Sequence, residues 1–153
     1  YLLDMDIVTY SKNMPKSDDP NTGFYLDIFG KEPRNIAHWI APAPLAQYGI
    51  SSSGNNNIID ATGYELSKLS TEIINNNPVV IYLTYDFNEP YHWSLGVPNN
   101  LHVLLLTGYN TITEQYLITD PYTRSNGTYE FIIQKDHFEY LYNAVGKRAV
   151  IVR

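Results

Sequence analysis

The chain has 153 residues, 44% hydrophobic and 17% charged, with a net charge of −6 and no cysteine. This length and composition describe one globular domain, able to bury about 68–70% of its unfolded surface without staples. The lack of Cys excludes disulfides, thiolate metal sites and a thiol nucleophile within these residues, and the acidic balance excludes nucleic acid as an expected partner. The apolar run Val103–Leu106 is far below the ~18 residues that span a bilayer, so no membrane span is expected. Fourteen Tyr and many Asn give a polar-aromatic composition that reads as a secreted or cell-surface style.

In chain order, Asp6 can cap a short helix running to about Asn13, with Ile7, Val8 and Tyr10 on its inner side. Leu2-Leu3 reads as the last turn of an earlier helix; a short strand or coil is the alternative. Met14 to Arg34 holds Pro15, Pro20, Pro33, Gly23 and Gly30 and is predicted as a long loop. A helix over Ala41–Tyr48 starts on Pro42 and Pro44 and ends at Gly49. Ser51–Asn57 reads as a polar turn. Thr62-x-x-Glu65 has the form of a capping box, opening a helix with Leu66, Leu69 and Ile73 on one face. Asn75-Asn76-Asn77-Pro78 stops it.

After Pro78 the hydrophobic period changes from helical to extended. Strands are predicted at Val79–Thr84, Leu101–Tyr109, Gln115–Thr119 and Tyr129–Ile133, the last entered through the hairpin signal Asn126-Gly127. Asp136 is placed as the cap of a short helix reaching about Asn143, and Ala149–Val152 as a final strand. Helices first and an antiparallel sheet afterwards make an α+β pattern.

One pair of side chains stands out. A hairpin centred near Thr111 sets His102 directly opposite Asp120. Directly opposed residues share a face, with Cβ atoms ~4.5–5.5 Å apart. A carboxylate there accepts a bond from the imidazole, fixes its tautomer and raises its basicity. A slip of one residue would undo the pairing. Taken singly, His102 reads as a satisfied core histidine and Asp120, before Pro121, as a turn residue.

A dyad lacks a nucleophile, and no Gly-x-Ser-x-Gly elbow supplies one. Ser94, eight residues before His102, is the one nearby hydroxyl weighed for that role. His92, His102 and Asp120 could form a three-ligand metal set, but the tight spacing of zinc sites is absent, so no metal is expected. Glycine-rich nucleotide loops are absent too, so no cofactor is expected. His38 and His137 read as surface or packing residues. Trp39, Trp93 and the tyrosines could line a peptide or sugar groove, with core packing as their ordinary use.

Several segments form a familiar series. They are Met14-Pro15-Lys16, Asp19-Pro20-Asn21-x-Gly23-Phe24, Ala41-Pro-x-Pro-Leu45 leading to Tyr48-Gly49, Asp60-x-Thr62-Gly63, and Pro78-Val79-Val80. Trp93 comes next, then His102-Val103 running to Thr107-Gly108-Tyr109, Thr119-Asp120-Pro121, Phe138, and Gly146-x-x-Ala149-Val150. In their order and spacing the chain resembles the family thirty-nine-like cysteine peptidases, from about Tyr1 to Val152. This is a papain-like group named after the leader-cleaving domains of bacteriocin exporters. It includes many extracellular proteins of Gram-positive bacteria.

The resemblance implies a papain-like fold and a Cys-His-Asp triad acting on a peptide or amide bond. His102 would be the general base and Asp120 its orienting partner. The family's nucleophile lies in a Gly-Cys-Glu motif at a helix start, where the helix N-terminus lowers the thiol pKa. Here that motif would fall about a dozen residues before Tyr1, roughly three helical turns. The expectation is therefore a single domain, residues 1–153, truncated before Tyr1, with the preceding segment packing against it. Two readings stay open beside a purely structural domain: part of an active peptidase, or a non-catalytic module of the same fold that binds peptide or cell-wall material.

Overall fold

The computed structural model describes residues 11–26, 37–121 and 129–153. The predicted Asn126-Gly127 hairpin and most of the helix begun at Asp6 lie outside these residues, although residues 11 and 12 are helical. The elements are two short strands, β1 (Lys16–Ser17) and β2 (Phe24–Tyr25), then α1 (Pro42–Ser53), β3 (Ile58–Asp60), α2 (Leu66–Ile74) and β4 (Val79–Thr84). A 3₁₀ turn (Tyr85–Phe87) and a small hairpin, β5 (Trp93–Ser94) and β6 (Val97–Pro98), lead to β7 (Leu101–Asn110). β8 (Gln115–Thr119), β9 (Glu130–Gln134), α3 (Lys135–Ala144) and β10 (Ala149–Val152) complete the chain.

Six strands form one sheet in the order β3-β10-β4-β7-β8-β9, and every neighbouring pair is antiparallel. The pair β1–β2 is parallel. With three α-helices among the described residues, the α+β expectation holds.

The central strands explain why their sequences are apolar runs instead of alternations: both faces are covered. On β4, Val79, Ile81 and Leu83 enter the larger core with Leu66, Leu69, Phe138 and Leu141 from α2 and α3. Tyr82 points the other way, into a smaller core with Trp39, Ala41 and Val97, and its hydroxyl donates to the Ile40 carbonyl at 2.7 Å. A β-strand turns alternate side chains to opposite faces, so covering both faces consumes every position. Towards β9 the second face opens, and Ile132 is 69% exposed.

Local signals fare differently. β4, β8 and β10 begin and end where the apolar pattern places them. The helix at Pro42 runs through Gly49 and stops at Gly54, whose φ of 72° is the left-handed cap conformation. Half of the predicted polar turn is thus its last turn, and Ile58–Asp60 is an edge strand the sequence reading omits.

The capping box does not form. Glu65 is the N-cap of α2 without a side-chain bond, and the Thr62 hydroxyl donates to Asp60 Oδ1 at 2.6 Å in a preceding turn. Aspartate outcompetes the more distant helix end because its carboxylate lies two residues away. In α3 the N-cap is Gln134, and Asp136 sits in the first turn, where it still complements the helix dipole.

Candidate functional site

His102 lies in the second position of β7, paired across β4 with Leu83. Asp120 comes directly after the last residue of β8, and its backbone N–H donates to the Tyr129 carbonyl at 2.7 Å. The two residues therefore sit at one end of the sheet. Their meeting depends on a defect in the ladder.

Next to the turn, Asn110 pairs with Gln115 and Tyr109 with Tyr116. That register, continued unbroken, would set Asp120 opposite Leu105, on the face away from His102. Between Leu106 and Gly108 the register shifts by one residue, and beyond the shift Leu106 pairs with Ile118 and Leu105 with Thr119. Continued one residue, this sets Asp120 opposite Leu104, on the same face as His102. A β-bulge inserts one unpaired residue and re-aims the side chains beyond it; here it is Thr107, whose hydroxyl donates to the Leu117 carbonyl at 3.3 Å. Gly108 beside it allows the strands to close in, since a Cβ there would lie 3.0 Å from the Leu117 Cβ.

The expected direct opposition is thus corrected to a diagonal neighbour, within reach of a long side chain. The face is as predicted, but the hairpin centre lies elsewhere and the bulge has no counterpart in the sequence reading.

The contact is short. His102 Nε2 and Asp120 Oδ1 are 2.7 Å apart. An ionised carboxylate only accepts, so Nε2 carries the hydrogen and donates it. Asp120 is 1% exposed, whereas the His102 side chain is 20% exposed. The carboxylate is sheltered from competing water, which strengthens a charge-assisted bond, while the imidazole keeps one side open to approach. With Nε2 committed, Nδ1 is the ring nitrogen left to exchange a proton with a ligand.

A third side chain enters from β4's end. The Tyr85 ring meets the His102 ring edge to face, centroids 5.4 Å apart and planes at 77°. Sequence reading missed it, because β4 and β7 are joined by a connection of no standard turn length. The parity of β4 is the one signal that could have found it: Leu83 faces His102, so Tyr85 shares that side.

The other sequence candidates stand apart from this group. Ser94 lies on the β5–β6 hairpin and makes no hydrogen bond to His102. His92, in the same segment, stacks edge-on with Tyr91 at 5.4 Å. Among the described residues no three His, Asp or Glu side chains gather as metal ligands do. His137 bonds the Phe87 carbonyl through Nε2 at 3.0 Å. Trp39 is buried in the smaller core, but Trp93 is 55% exposed, so core packing does not account for it. Two surface clefts, of about 280 and 440 Å³, share Tyr109 and Tyr116. They lie seven residues along β7 from His102, roughly 23 Å at ~3.3 Å per residue, and belong to the other end of the sheet. No helix among the described residues is long and apolar enough to cross a membrane.

No curated protein matches the chain significantly. A crystal structure of a candidate C39-like peptidase from Bacillus anthracis is similar to it, with a TM-score of 0.79 and 21% identity. The likeness covers 99% of this chain and 80% of that one, and at this identity it speaks for the fold alone. A family model described as the Peptidase_C39-like family matches residues 5–150. That is nearly the whole chain, and the chain belongs to the peptidase C39-like family.

Proposed function

We propose that this chain carries the general base and the orienting carboxylate of a cysteine peptidase with papain-like architecture, acting on a peptide or amide bond. The observation that supports this most is the 2.7 Å contact between His102 Nε2 and a buried Asp120. Family membership supports the reaction class. The 153 residues contain no Cys, so in this reading the thiol comes from outside them.

The chemistry rests on the tautomer. Asp120 holds Nε2–H, and Nδ1 takes the proton of the thiol. The thiolate attacks the substrate carbonyl and forms a tetrahedral intermediate. The imidazolium, stabilised by Asp120, then gives its proton from Nδ1 to the leaving amine as the C–N bond breaks. In the second half, Nδ1 removes a proton from water, which attacks the thioester; the acid product leaves and the thiol regains its proton. Asp120 stays ionised throughout. The substrate is a peptide or protein, and the polar-aromatic composition supports a secreted or cell-surface setting.

The test uses the full-length gene product that contains this chain, treated with iodoacetamide and monitored by intact mass. The expected result is one fast-reacting cysteine about a dozen residues before Tyr1, whose alkylation slows when His102→Ala removes the base. A Ser, Ala or Asp at that upstream position, or no reactive thiol, contradicts the peptidase reading and favours the non-catalytic binding module.

A further inference from the structure

We propose that Tyr85 is a positioning residue for His102, and that the strained turn carrying it is the device that holds its ring in place. The purpose of such positioning rests on the peptidase reading; the geometry that carries it does not.

Asp86 and Phe87, the two residues after Tyr85, both have φ of 57°. The left-handed region is disfavoured for a residue with a side chain, and for a bulky aromatic it is an outlier. Such a conformation persists only where the surroundings over-determine it. Here they do. The Tyr85 N–H donates to the Asn100 carbonyl at 2.7 Å, which ties the turn to the residue before β7. The Thr84 hydroxyl donates to the Asn88 carbonyl at 2.5 Å. From α3, His137 bonds the Phe87 carbonyl and the Tyr140 hydroxyl donates to Glu89 Oε2 at 2.5 Å. The Phe87 ring packs edge-on against Phe131, 5.8 Å between centroids.

Anchors from the start of β7, from α3 and from β9 thus fix a turn that the chain would not adopt by itself. The side chain they aim is Tyr85, and what it meets is the His102 imidazole. Tyr85 is 37% exposed, so burial in the core is not what the strain secures. An aromatic ring across the imidazole restricts rotation about its χ2 and shields the Nε2–Oδ1 bond from water.

The test is the protection of the His102 Nε2–H proton, read by ¹H–¹⁵N NMR on the full-length gene product. In the wild-type protein this proton is expected far downfield of the amides. Tyr85→Phe, which keeps the ring, is expected to exchange it within about twofold of wild type, and Tyr85→Leu, which keeps bulk without the ring, about tenfold faster. Tyr85→Ala should match or exceed the leucine variant; where it does not fold, the leucine–phenylalanine contrast decides. Equal protection in the leucine variant overturns the proposal, and so does a wild-type protein with no protected Nε2–H. A protein whose protection depends on the ring but which has no reactive thiol keeps the positioning role and loses the peptidase reading.

Discussion

The six-stranded sheet and the connection between two of its central strands, residues 85–100, are built on opposite terms. β4, β7 and β8 are each paired along both edges, both faces of β4 are covered, and none of these strands contains a residue with positive φ. In the connection, Asp86, Phe87, His92 and Leu95 all have positive φ without being glycine, and Tyr91, Trp93 and Leu95 are each more than half exposed. The sheet is the low-energy part and the connection the strained part, and they meet at His102. Strain of this kind marks positions shaped by something other than stability. The sheet fixes where the imidazole's Cα stands; the connection supplies the ring beside it.

That contrast can be broken or sharpened by substitution. The largest effect on stability belongs to the sheet side. Phe138 is fully buried and stacked between Tyr116 and Tyr142, at 4.7 and 6.4 Å between centroids. Phe138→Ala is expected to cost about 3–5 kcal/mol in urea unfolding; a loss near zero would mean that α3 does not cover the sheet.

The connection should respond in the opposite sense. Leu95-Gly96 forms a two-residue hairpin loop with φ of 51° and 74°, the pattern that favours Asn-Gly. Leu95→Asn is expected to raise stability by about 0.5–1 kcal/mol; destabilisation would show that the leucine side chain holds the hairpin.

A smaller effect lies at the chain's end, where Arg153 bonds Glu72 at 2.5 Å and this contact holds the Glu72 carboxyl below its usual range. A depressed folded pKa contributes stability above the unfolded value, and that contribution is lost as pH falls through the folded one. Glu72→Gln should therefore cost at most about 1 kcal/mol at pH 7, since Arg153 is half exposed, and less still below about pH 4. A cost that grows on acidification would contradict the assignment. The smallest effect is at the open face, where Ile132→Ala should stay within about 0.5 kcal/mol.

The legibility of the sequence divides along the same line. Strands with both faces buried are continuous apolar runs, so Val79–Thr84 and Ala149–Val152 could be bounded from pattern alone. His102 and Asp120 could be named because they interrupt or end such runs. Their geometry was less accessible. A bulge at Thr107 leaves no local signature beyond the neighbouring glycine, yet it decides which face Asp120 joins. For Tyr85 only the parity of β4 pointed to the right side of the sheet; its aim depends on anchors from Asn100, His137 and Tyr140, none of them near it in sequence. The capping box at Thr62 failed for a related reason, a competing carboxylate two residues away that local reading did not weigh.

The central claim, that Asp120 orients His102 for proton transfer to and from a thiol, is tested most directly by Asp120→Asn in the full-length gene product. Turnover of a cleavable peptide is the readout. The account predicts that kcat/KM falls by a factor on the order of 10⁴, with alkylation of the thiol slowed in parallel, because the amide can no longer hold Nε2–H as an ionised acceptor. Turnover unchanged by Asp120→Asn would contradict it.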